Sequence, residues 1–330
     1  MSENHLTGNP LVIDDTPYLL WDFDLKTHNI EFLENIDLSH FEYLANVHGN
    51  QLDGENKHHA ALALRTAYSQ GLETLFAFLA ALIQAPHCVA GWITHYKTKD
   101  LESFIYKFQN QQRVYSVLPD EFMSWDGISE AIHMGLVAKD NKEKETIIKG
   151  FGRLWRMFAV DFLTNEAKDE YNSIKHGLRV QPGGFELAIG PEITPGVPLP
   201  QEKWIQIGKS DFGSTFPTVY KIVGRKLHFQ LRNHSRNWNP IDLANGLLLI
   251  SVSLNNIVER LKILNGVGID QVSFRALSDE KEFLKPWKNS YSIGTTHFSQ
   301  ELYPLKIEDV PNYSKEEILR LYESRKLKKY

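Results

Sequence analysis

The run Glu170-Tyr-Asn-Ser-Ile-Lys-His-Gly-Leu-Arg179 concentrates reactive side chains in ten residues. Asn172 and Lys175 lie three apart and Asn172 and His176 four apart, so a helix would put all three on one face, with Arg179 just beyond its end. Such a face offers an amide, a fixed cation and an imidazole that titrates near neutrality, a set able to hold a phosphate or to move a proton. In an enzyme on RNA or a nucleotide, His176 would act as acid or base, Lys175 and Arg179 would take phosphate, and Asn172 would orient them. Lys175 and His176 are equally suited to complement the carbonyls at a helix C-terminus, which requires no ligand.

A carboxylate in an otherwise apolar helix is costly unless paired, and Glu73 stands in the most apolar helical pattern of the chain, with Arg65 and Ser69 at four-residue spacing on its face. Glu73 is therefore expected to meet a cation from another helix, with Lys175 or His176 the first candidates. The pair would either complete the catalytic set Glu73, Asn172, Lys175 and His176 or simply fix helix register.

A second candidate surface comes from period-two alternation. Lys226, His228, Gln230, Arg232, His234 and Arg236 would share one face of a strand, with Trp238 close behind. A basic strip beside an aromatic ring can follow a phosphate backbone and stack a base, so Arg179, Lys226, His228, Arg232 and Arg236 form the candidate nucleic-acid or anion set. The same strip would also serve as the wet face of a two-layer structure.

No metal and no cofactor are expected. Glu130-Ala-Ile-His133 is a Glu-x-x-His unit, which di-iron bundles use twice and which occurs once here. His58 and His59 are adjacent and diverge by about 100° on a helix. Cys88 is read as a small buried hydrophobe. Dinucleotide, P-loop, nucleophile-elbow and zincin motifs are missing.

Two elements in combination carry a family likeness. The helix with Ala67, Tyr68, Leu72 and Glu73, taken with the Tyr-Asn-x-Ile-Lys-His-Gly element from Tyr171 to Gly177, resembles bacterial helical proteins of the HEPN type, several of which act in defence or toxin systems. The likeness covers residues 58–180 and the helix after Pro240. It implies a helical bundle in a nucleotide or nucleic-acid context. HEPN ribonucleases carry an arginine, four to six residues and a histidine; none of the 13 histidines here follows an arginine at that interval. The expectation is accordingly a binding or interaction module for a protein partner or RNA, with an RNA- or nucleotide-processing enzyme as the alternative and a homodimer compatible with either.

Four spans are expected to position these residues. Residues 1–57 form an acidic segment packed on a bundle, 58–180 the first part of the bundle, 181–239 a β insert and 240–330 the completion of the bundle with a basic C-terminal helix. Helical spacing predicts helices over His58–Ile83, from Asp100 to before Pro119, over Gly127–Val137, from Asp140 to Phe162, and from Thr164 or Asn165 to Gly177. Asn239-Pro240 opens a long helix closed by Gly266, and Ser314 to Glu317 supplies a capping box for the last. Phe185–Ile189, Trp204–Ile207 and Thr218–His234 read as strands. Gly224-Arg225 reads as a two-residue type II′ loop, pairing Lys221 with His228 and Tyr220 with Phe229.

These elements make a mainly α class with a small antiparallel β part, and the composition is that of a globular chain. The 330 residues are 42% hydrophobic and 23% charged, ample for a core without disulfides. A single cysteine fits a reducing compartment, no basic segment followed by an apolar run opens the chain, and the uninterrupted apolar run from Phe76 to Ile83 is far short of a ~20-residue membrane span. A cytoplasmic protein is expected. Net charge is −5 and unevenly placed: residues 1–60 hold 11 acids against two lysines, whereas nine basic residues face four acids between Tyr171 and Pro240. The basic stretch suits an anion or the acidic N-terminal segment.

Overall fold

The computed structural model describes residues 8–22, 24–176, 179–191, 200–277, 279–288, 296–301 and 306–324. Among them the chain is mainly helical with small antiparallel sheets, the class its spacing predicts. It begins with a hairpin of β1 (Asn9–Ile13) and β2 (Thr16–Leu20), in which Ile13 faces Thr16. Asp14, in the turn, takes a φ of 52° in the left-handed region. The Gln84 side chain holds that residue by accepting from its amide at 3.0 Å and donating to its carbonyl at 2.9 Å. Lys107 Nζ reaches the carboxylates of Asp14 and Asp15 at 2.7 and 2.5 Å.

Helices α1 (Leu25–Glu34) and α2 (His40–Gly49) follow, then the long α3 (Lys57–Gln84), which Pro86 terminates. Leu64, Tyr68, Leu72, Leu75, Phe76 and Leu79 of α3 are buried at helical spacing. After α4 (Val89–His95) comes α5 (Thr98–Gln109), shorter than expected and starting earlier. Asp100 is not its N-cap; it lies in the first turn and accepts from the backbone of Lys97 at 3.2 Å. Helix α6 (Trp125–Ile132) is capped by Ser124 and passes into a short 3₁₀ turn over His133–Gly135. Helix α7 (Asn141–Leu163) starts where Asp140 caps the amide of Glu143 at 2.8 Å, and α8 (Asn165–Lys175) follows.

The β segment contains β3 (Gln181–Pro182), β4 (Glu186–Ile189), β5 (Ile205–Lys209), β6 (Gly213–Lys221) and β7 (Phe229–Asn237). Asn239 then caps α9 (Pro240–Leu264), with proline in its first turn. Helix α10 (Glu280–Phe283), β8 (Thr296–Glu301) and α11 (Lys315–Ser324) complete the described chain. Ser314 and Glu317 form the reciprocal capping box: the Ser314 amide donates to the Glu317 carboxylate at 2.7 Å, and the Glu317 amide to Ser314 Oγ at 3.2 Å.

The chain divides into two compact units, Met1–Tyr171 with Trp238–Thr295, and Asn172–Asn237 with Thr296–Tyr330. In the first, α3 packs against α9, α2, α5 and α7. Gly71 permits the closest approach, since a Cβ there would meet Ile250 of α9 at 3.2 Å and Phe41 of α2 at 3.5 Å. Judged by 18-residue windows rather than unbroken runs, α3 and α9 are both apolar and long enough to cross a membrane. Within this fold 72% and 67% of those windows are buried, as befits the two central helices of a core.

The expected mixed segment Val272–Leu277 is neither helix nor strand. Polar side chains of α9 bond its backbone as a neighbouring strand would. Asn256 donates to the Arg275 carbonyl at 2.8 Å and accepts from its amide at 2.7 Å, while Asn255 and Glu259 take the carbonyl and amide of Ser273. The same Asn256 amide donates to His133 Nε2 at 3.0 Å. Because His133 Nδ1 faces the Ser129 carbonyl at 2.8 Å, which can only accept, the ring is held neutral with its proton on Nδ1. His133 is fully buried and Glu130 exposed, so the Glu-x-x-His pair is split between core and surface.

In the second unit β3, β6, β7 and β8 form one antiparallel sheet in that order, and β4 pairs with β5.

Candidate functional site

Within the first unit α3 and α8 are joined by a buried ion pair. Arg65, 3% exposed, donates from Nε to Glu170 Oε2 at 2.8 Å, and Glu170 is wholly buried. The Trp238 indole donates to the other Glu170 oxygen at 2.9 Å. Beside this pair Tyr68 donates to Asp161 at 2.9 Å, and burial, followed by the Asp161 charge, drives the Tyr68 hydroxyl well above its usual pKa. The two helices do meet through an acid and a base, but the expected polarity is reversed: α3 supplies the cation and α8 the carboxylate.

Glu73 is half-buried and accepts from Thr98 Oγ1 at 3.0 Å rather than pairing with a cation from α8. A half-buried carboxylate that keeps some water and a hydroxyl donor needs no counterion, whereas a fully buried one does. Burial first, and then the nearby Glu73 charge, pushes the hydroxyls of Tyr96 and Tyr171 up to about 12. Both phenols thus remain protonated.

Asn172, Lys175, His176 and Arg179 belong to the second unit and are all exposed. The His176 amide continues the helical pattern to the Asn172 carbonyl at 3.0 Å, and the Arg179 amide returns to Ser173 at 2.9 Å. Gly177, the expected helix stop, lies outside the described residues. Glu73 falls in the other unit from Lys175 and His176.

The strand face departs from expectation in a way that changes its chemistry. The sequence pairs Lys221 with His228; the structure pairs Lys221 with Phe229, Tyr220 with Gln230 and Val219 with Leu231. A slip of one residue moves side chains to the opposite face. Its cause is the loop. Gly224, at φ 74°, occupies the second central position of a turn closed by the Arg225 amide on the Ile222 carbonyl at 3.0 Å, as a type II turn requires. A further turn from Arg225 to His228 follows, so seven residues, Ile222–His228, separate the strands.

Lys226 and His228 consequently sit in the loop, where the His228 ring stacks on Tyr313 at 6.2 Å. Gln230, Arg232, His234 and Arg236 do share a face, but His234 and Arg236 are buried. On that face the His234 ring stacks between Phe216 and Tyr220 at 5.6 and 5.7 Å, and Arg232 lies over Tyr220 at 4.5 Å. The opposite face carries Val219, Phe229 and Leu231, which are 64%, 54% and 54% exposed. With its polar side chains set among Phe216 and Tyr220 and a largely apolar outward face that adds only Lys221, this hairpin is the reverse of a wet basic strip.

Among the described residues its edges are only partly paired. Strand β3 pairs only with Ser214 and Thr215 of β6, and β8 only with Arg232–Asn237 of β7. Phe216–Lys221 on one side and Phe229–Leu231 on the other therefore lack a further strand among the described residues. In the same unit α11 places Ile318, Leu319 and Tyr322 along one stripe, with Leu319 and Tyr322 exposed. The residues that sequence reasoning missed are Val219, Phe229 and Leu231 as an outward surface. The signal that would have found them is the loop length, which sets register.

Among the described residues no group of three His, Cys, Asp or Glu side chains is placed to hold a metal ion. Compared with protein-family models, with curated proteins and with solved structures, the chain matches none.

Proposed function

We propose that this protein is an interaction module whose second unit docks a partner protein, the β6–β7 arm receiving an extended segment of that partner. The outward apolar face of Val219, Phe229 and Leu231 carries the reading, since surface rows of this kind beside strand edges that carry no further strand among the described residues are templates for strand addition. The exposed stripe on α11 adds a second apolar contact in the same unit. Pro217 in β6 removes one donor from its edge and limits uncontrolled pairing. With the likeness to HEPN-type helical proteins, a partner from a bacterial defence or toxin system is the one to seek.

A Phe229→Asp/Leu231→Asp variant tests this, because both side chains are more than half exposed and their replacement leaves the core alone. The wild-type chain is expected to bind a discrete protein that protects the amides of residues 216–221 and 229–231 from hydrogen exchange. The variant should lose that protein at an unchanged melting temperature. Capture that persists in the variant would overturn the reading. So would binding or cleavage of labelled RNA that survives in the variant and disappears in His176→Ala, which would turn attention to the α8 end.

A further inference from the structure

A cleft of about 510 Å³ opens in the first unit, bordered by the end of α5, the start of α6, α7 and α10. Its volume lies in the range of small-molecule sites. Lys149, Arg153 and Arg156 line it from α7, spaced so that they fall on one helical face. Lys149 pairs with Glu145 at 2.6 Å, a solvent-exposed contact of little strength. Arg153 and Arg156 make no hydrogen bond or ion pair among the described residues.

The remaining walls supply the other parts of a ligand site. Gly150 and Gly152 let Phe283 and Asp126 pack directly against α7 between the cations: a Cβ on Gly150 would stand 2.5 Å from the Phe283 ring, and one on Gly152 2.2 Å from Asp126 Oδ1, and Asp126 and Glu280 place two carboxylates in the lining. Met123, Trp125 and Leu284 are half-buried on the cleft and offer apolar surface. The Trp125 indole donates to Gln109 Oε1 at 2.7 Å, fixing ring and amide together.

Gln111 is the most pointed observation. It takes a φ of 53° just past α5, where its amide bonds to Phe108 at 3.1 Å and that of Gln112 to Lys107 at 2.8 Å. Glycine is the usual residue at this left-handed helix-ending position, where a side chain is disfavoured. The Gln111 side chain lines the cleft and makes no hydrogen bond among the described residues, so its amide is available to a ligand.

We propose that this cleft binds a small phosphate ester carrying a planar ring. Arg153 and Arg156 grip the phosphate, the ring lies on Met123, Trp125 and Leu284, and the Gln111 amide reads the polar edge of the ring. Planar guanidinium groups suit phosphate oxygens, and unpaired ones are already free to bind. The cleft belongs to the first unit and the β6–β7 arm to the second, and neither proposal depends on the other.

Isothermal titration calorimetry of the full chain with adenosine monophosphate, adenosine and inorganic phosphate tests it. The nucleotide is expected to bind, and to do so more tightly than either the nucleoside or the free anion. Removing one arginine should weaken it at least tenfold, and Arg153→Ala/Arg156→Ala about a hundredfold, since each lost bond to a charged group is worth roughly a factor of ten or more. Gln111→Gly should raise the melting temperature while weakening binding, a combination that a purely structural residue would not give. Lys142→Ala, on the same helix outside the cleft, should change nothing. Binding retained in the double variant, equal affinity for inorganic phosphate, or no heat up to millimolar nucleotide would each overturn the proposal.

Discussion

At the scale of single residues, placement in depth separates structural charge from available charge. Arg65 and Glu170 are sealed together with the Trp238 indole, so removing one partner leaves the other buried and uncompensated. Arg65→Ala is expected to cost about 3–5 kcal/mol, whereas Arg65→Met/Glu170→Gln, which keeps an oxygen for Trp238, should recover most of that loss. Urea unfolding of the three proteins checks the order. The sequence marks Arg65 and Glu73 as the two charged interruptions of an apolar helix, and one of them does pair with α8. Which one pairs depends on how deep each level of α3 lies, and spacing along a single helix carries no information on depth. Arg153, Arg156 and Gln111 were invisible for a related reason: exposed arginines are ordinary on a helix, and a left-handed glutamine shows only in the backbone.

At the scale of elements, helices were more legible than strands because their signals are local. Asp140, Asn239-Pro240 and the Ser314–Glu317 box all act where the residue types say they should. The hairpin register was not legible, because Gly224 satisfies a positive φ equally well in the first central position of one turn type or the second of another. Interhelical spacing also rests on single residues. Gly150 of α7 faces the buried Phe283 ring so closely that Gly150→Ala is expected to destabilise the protein by about 1–2 kcal/mol, overpacking outweighing the helix propensity that alanine adds. Thermal melting of the variant decides the sign; a rise would mean that α10 yields.

At the scale of the whole molecule, acid sensitivity follows from one neutral ring. Burial pushes His133 down to about 4, while the unfolded chain titrates near 6.5. Between those values the unfolded state takes up a proton that the folded state refuses, so this ring lowers stability as pH falls through the window, by about 3 kcal/mol in full, and contributes nothing above it. His133→Gln, which can still donate to Ser129 and accept from Asn256, should flatten that part of the profile in urea unfolding at pH 7.5, 6 and 5. The mainly α class, the central place of α3 and the apolar stripe of α9 were readable from apolar periodicity. The assignment of β8 and α11 to the same unit as β6 and β7 was not, since pairings across some sixty residues leave no local trace. One connection in the first unit shows how such distant order is imposed. The backbone from Ser273 to Arg275 has no strand to lean on and borrows its bonding partners from α9, so it acquires a defined path only after that helix exists. An asparagine that reads two main-chain groups and also steadies a core imidazole makes the trailing loop a dependant of the helix before it, and damage to Asn256 would be felt in three places at once.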